Sequence, residues 1–187
     1  MHNPTASATA RLLATAVALS VAATPALAHP GHLATAGFLD GAAHPLNGLD
    51  HLIAMITVGA YGATIGGRAR IAVPGAFVVM MLTGGLLAML GAELQLVEPM
   101  IYASVVVLGL LCVMPLSRTA WIGAAFAGWF GLFHGFAHGV EMPADAAALG
   151  YALGFVLSTA GLHAAGLGLG MAIHRLLGRG EEAERAA

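Results

Sequence analysis

Two stretches concentrate, inside apolar surroundings, side chains that could bind a cation or pass a proton. They are HPLNGLDHLIAM, residues 44–55, and FHGFAHGVEMP, residues 133–143. The first supplies His44, Asn47, Asp50 and His51; the second supplies His134, His138 and Glu141. Imidazole and carboxylate are suitable ligands for nickel, cobalt, zinc or copper, and no thiolate stands among them. Either chemistry requires these groups to converge. His134 and His138 at i, i+4, with Glu141 at i+7, form one stripe on a helix. With His44 as N-cap and Pro45 in the first helical turn, His44, Asn47 and His51 would share a face at i, i+3 and i+7. Asp50 would then point about 100° away from His51.

Asp50 is the costly residue. A bare carboxylate about two turns inside an apolar segment costs several kcal/mol. It must therefore be paired, protonated, hydrated or bound to a cation. The plainer alternative is a structural pair that anchors a helix contact.

The elements that must position these groups are apolar. Of 187 residues, 59% are hydrophobic and only 9% are Asp, Glu, Lys or Arg, far below the share of about 25% in soluble domains. With 26 glycines and no collagen-like period, the composition predicts an all-α, polytopic transmembrane helical bundle with closely packed helices. A net charge of −2, with no basic cluster and no aromatic platform, excludes nucleic acid as a partner. Membrane lipid is the expected surrounding. Cys112 is the sole cysteine, so a disulfide framework and a CxxC metal site are both excluded.

The opening, MHNPTASATARLLATAVALSVAATPALAHPGH, reads as a cleavable secretory signal over residues 1–28. Arg11 precedes an apolar core from Leu12 to Ala23, too short to span about 30 Å of hydrocarbon, and Ala26-Leu27-Ala28 is a small-x-small cleavage site. The remainder, 29–187, is expected to form a single membrane domain. His29 and His32 in HPGH could then capture a divalent cation at an external amino terminus, or belong to a tail that binds nothing specific.

Five spans are predicted, at about 44–67, 71–90, 99–116, 119–140 and 144–177, the last either one helix or a helix broken near Gly161 or Gly166. If the mature amino terminus is outside, Arg68, Arg70, Arg118, Arg175, Arg179 and Arg185 all fall on the cytoplasmic side, while Glu93, Glu98, Glu141 and Asp145 fall outside. That sorting is what the positive-inside bias requires. At about 1.5 Å per residue, His51 and His134 then lie roughly 10 Å below the same surface, on helices of opposite direction. A metal or proton site is the reading that follows. His163 lies deeper, either as a second station on a pathway or as a polar contact between helices, and His174 is a solvated residue at the membrane exit.

No HExxH, GxSxG or P-loop pattern occurs, so the sequence predicts neither an enzyme nor a nucleotide-driven pump. Ser158 and His163 stand five apart on one helix, poor geometry for an intramembrane protease. Histidines on separate helices could ligate haem iron, but the carboxylates fit the handling of metal ions better.

HPLNGLDHLIAM, FHGFAHGVEMP and YALGFVLSTAGLHAAGLGLG, in this order and spacing, resemble the HupE/UreJ family of small bacterial membrane proteins. The similarity extends over essentially the whole chain up to about Leu177. The resemblance implies a role in hydrogenase or urease maturation and secondary, non-ATP permeation of nickel or cobalt, with zinc, copper and iron left open. A membrane accessory or sensor protein that binds metal without transporting it is the alternative. It implies His44, Asp50, His51, His134, His138, Glu141 and His163 as the functional residues. It further implies no catalytic cofactor, the metal ion being substrate or ligand, and a bacterial inner membrane with the amino terminus periplasmic and the carboxyl terminus cytoplasmic. Family members continue past the GLHAAGLGLG span into another apolar helix, where this sequence reads HRLLGRGEEAERAA. Either five helices suffice, or a homo-oligomer or partner helix fills that place, or the chain is a divergent member.

Overall fold

The computed structural model describes residues 37–142 and 148–186, with side chains described as far as residue 176. Residues 1–28, His29, His32 and Asp145 lie outside the described residues. Six helices follow one another: α1 Phe38–Asn47, α2 Leu49–Ile65, α3 Ala69–Met89, α4 Val97–Val113, α5 Ala120–Glu141 and α6 Ala148–Ala186. There is no strand among the described residues. The fold is an all-α bundle.

Three helices, α3, α5 and Ala148–Leu176 of α6, are long and apolar enough to cross a membrane, and the α1–α2 pair makes a fourth if it counts as one broken span. Helix α4 is apolar but has only 17 residues, the lower end of the range for a crossing. Large apolar side chains such as Ile71, Val79, Leu86, Trp121 and Leu157 are exposed on the outside of the bundle. In hydrocarbon such surface carries no penalty, which suits a membrane-embedded protein.

The first expected span is not one straight helix. The chain bends by 88° between α1 and α2. Helix α1 starts before His44, where the Gly37 N–H donates to Asp40 Oδ2 at 3.3 Å. His44 is therefore in the last turn of α1 instead of capping a helix, and Pro45 is interior to α1 instead of opening a span. Proline supplies no N–H for the preceding turn, and three residues later Gly48 is extended (φ −107°, ψ 122°), ending one helix and capping the next. The expected shared face of His44, Asn47 and His51 is overturned by this break, and Asn47 is exposed. Helix α6, by contrast, passes through Gly161 and Gly166 unbroken.

Helix directions follow from which backbones touch. The most extensive pairing is α3 with α5, and the next is α2 with α6. Gly131 faces the Phe77 carbonyl, Gly135 that of Met81 and Gly139 that of Gly85, so α3 and α5 run parallel. Gly166 faces the Ile56 carbonyl and Gly170 packs on Ala60, so α2 and α6 also run parallel. At Gly135 a Cβ would collide with the Met81 backbone, so only glycine permits this approach. Because a short Gly66-Gly67 turn reverses the chain between α2 and α3, the exposed Arg68, Arg70, Arg118 and Arg175 gather at one end of the bundle. Glu141 lies at the opposite end.

Candidate metal centre

The break at Gly48 builds one half of the site. Asp50 sits in the first turn of α2, where its Oδ1 accepts the His51 backbone N–H at 2.9 Å and lies 2.9 Å from His51 Nδ1. A side chain at Gly48 would press on this pair, since a Cβ there would stand 2.9 Å from Asp50 Oδ1 and 3.1 Å from His51 Nδ1. An ionised carboxylate can only accept, so Nδ1 carries the proton and Nε2 keeps the lone pair. His51 Nε2 is buried with no hydrogen-bond partner among the described residues. A carboxylate behind an imidazole whose other nitrogen is free is the usual second layer of a metal site.

The other half comes from α5. His134 is fully buried and His138 is 6% exposed. Their i, i+4 spacing places both rings against His51, with ring centroids 5.0 Å away for His134 and 4.5 Å for His138. One nitrogen from each of His51, His134 and His138 lies within 4.8 Å of the other two. Three imidazoles converging on one point leave room for further ligands on an ion, an arrangement borderline divalent metals accept.

A second group lies toward the outside and shares a member with the first. His44, His138 and Glu141 also offer one donor atom each within 4.8 Å. His44 Nε2 is 3.3 Å from Glu141 Oε2, and His138 Nδ1 is 3.8 Å from the same oxygen, too far for a hydrogen bond. The His44 side chain is 31% exposed and that of Glu141 45%, so this group is open where the inner one is closed. His44 reaches it from α1, its ring 4.7 Å from that of His138. Tyr151 and Phe155 of α6 flank these rings, with Phe155 4.4 Å from His138 and Tyr151 5.8 Å from His44.

His163 is buried on α6 and belongs to neither group. Its ring lies 5.2 Å from that of Phe77, whose centroid is 5.4 Å from His134. One phenyl ring thus stands between His163 and the inner group. His163 packs at the level of Gly59, eight residues past His51 along α2, or about 12 Å nearer the arginine-bearing end. Both of its ring nitrogens are buried with no hydrogen-bond partner among the described residues. His174 is exposed.

The structure therefore assembles His51, His134 and His138, and separately His44, His138 and Glu141. Asp50 stands behind His51 of the first group and belongs to neither set of three. Ser104 of α4 also touches the site, its Oγ 2.9 Å from His134 Nε2. Sequence reasoning passed over it, yet the signal was present. Counted from Pro99, Ser104 falls five residues in, close to the depth of His51 and His134.

A model of the HupE / UreJ protein family matches residues 17–186 of this chain. The chain belongs to the HupE/UreJ family. Among curated proteins it is similar to Protein HupE of Rhizobium leguminosarum bv. viciae, with 42% identity over 153 residues, 81% of this chain and 80% of that protein. No solved structure matches the chain. Both histidine-bearing motifs of this HupE/UreJ chain fall within the residues matched to the family.

Proposed function

We propose that this protein is a secondary transporter of a divalent transition-metal ion, nickel or cobalt first among them, in a bacterial inner membrane. The observation that carries the reading is the buried convergence of His51, His134 and His138, whose free nitrogens have no other use among the described residues. The ion meets the half-exposed group of His44, His138 and Glu141 and passes to the closed group through His138, which both groups share. Glu141 supplies negative charge where the cation sheds water, and the neutral imidazoles complete its coordination. His163, beyond Phe77, is the next polar stop toward the arginine-bearing end, which faces the cytoplasm by the positive-inside bias. The protein works as a carrier, not an enzyme, and the ion is its cargo.

The ligands make the affinity depend on pH. Protons and metal compete for the same lone pairs, so binding weakens as pH falls. The test is uptake of radioactive nickel by proteoliposomes holding the native chain or a His134→Ala variant. Accumulation that needs His134 and slows with external acidification is the expected result. Binding without accumulation would instead make the protein a metal-binding accessory or sensor.

A further inference from the structure

We infer that Ser104 is a positioning residue that fixes which nitrogen of His134 faces the ion. The inference rests on the proposed metal centre for its purpose but on the Ser104 hydrogen bonds for its content. Ser104 is fully buried, and its Oγ donates to the Ile101 carbonyl oxygen at 2.6 Å while lying 2.9 Å from His134 Nε2. A hydroxyl carries one proton and can accept as well. Two oxygens 2.6 Å apart with no proton between them would repel, so the Ser104 proton lies on the path to Ile101. His134 Nε2 must then be the donor of the second bond.

A neutral imidazole has one N–H, so a protonated Nε2 leaves Nδ1 with the lone pair. His134 Nδ1 is the nitrogen of this ring that is buried with no hydrogen-bond partner among the described residues. The result is the opposite of what Asp50 does to His51. There the carboxylate takes Nδ1–H and frees Nε2; here the hydroxyl takes Nε2–H and frees Nδ1. The two rings stand nearly perpendicular, at 86°. Each is locked from behind by a different element, α2's own first turn for His51 and α4 for His134. His138 has both nitrogens unpartnered and remains the one ring free to serve either group. An ion bound at Nδ1 of His134 makes the Nε2–H more acidic and tightens its bond to Ser104.

The experiment uses the full chain in lipid nanodiscs with isotope-labelled histidine nitrogens, the His134 signals being assigned by their loss in His134→Ala. Nitrogen NMR without metal reads the tautomer, and equilibrium binding of nickel reads the affinity. The native protein should show His134 protonated at Nε2. Ser104→Ala, which removes a single oxygen, should populate the other tautomer and weaken nickel binding about 10–100-fold. Ser104→Thr keeps a hydroxyl and should restore both. A purely structural serine would leave the tautomer unmoved. An Nε2-protonated His134 in Ser104→Ala, with native affinity, would overturn the assignment. Because the tautomer is read without metal, a native chain that binds no nickel would end the nickel reading of the proposed function and leave the Ser104 assignment to be decided by the NMR.

Discussion

Asp50 accepts two hydrogen bonds from its neighbour, one from the His51 ring and one from the His51 backbone, through the same oxygen. That geometry separates two roles the sequence merged. His51 presents a donor nitrogen to the centre, and Asp50 holds the ring at the correct tautomer from behind. On the proposed function, removing His51 deletes a ligand, whereas removing the charge of Asp50 loosens one. His51→Ala should abolish metal binding by folded protein, and Asp50→Asn should weaken it about 10–100-fold without abolishing it. Isothermal titration of both variants with nickel checks this. Equal, complete loss in both would make Asp50 a direct ligand. Spacing could nominate both residues, but it could not assign them, because the assignment depends on the turn at Gly48.

At the scale of helices, the expected segments 71–90, 99–116 and 119–140 lie within three residues of α3, α4 and α5, whereas the first is split into α1 and α2 and the helix of the last runs on to Ala186. Long apolar runs bounded by prolines, glycines and charges leave few other choices in a membrane. The α1–α2 bend was not legible. Pro45 and Gly48 are compatible with a helix start as well as with a break, and the choice turns on Gly37 and Asp40 starting a helix ahead of them. His44 accordingly reaches Glu141 from α1, on a different helix from His51. The glycine content did announce close packing, but which glycines touch backbone is a tertiary matter. Gly135 meets the Met81 backbone, while Gly75 of α3 has nothing within 4 Å of an added Cβ. Gly135→Leu should force α3 and α5 apart, costing at least the 1–3 kcal/mol typical of overpacking and displacing His134 and His138 with it. Gly75→Leu should be neutral. Thermal melting of the purified variants separates the two, and equal stability would show that the α3–α5 contact is looser than described.

Over the whole molecule, chemistry is polarised along the bundle. Glu141 and His44 lie at one end, the three-imidazole group follows, Phe77 and His163 come next, and Arg68, Arg70, Arg118 and Arg175 gather at the far end. The expected orientation puts the arginines in the cytoplasm and the acidic end outside. Reporter fusions after Thr119 and Ala187 should both report a cytoplasmic location, and one after Ala92 an external one. An external signal at either of the first two would reverse the direction assigned to the pathway. In the proposed transporter, an ion is held by side chains from α2 and α5 together. X-ray absorption spectroscopy of the purified, nickel-loaded chain tests it most directly. The spectrum should show a nitrogen- and oxygen-only shell with the multiple scattering of two or three imidazoles, reduced by one in His134→Ala. A shell without imidazole scattering, or one containing sulfur, would contradict it.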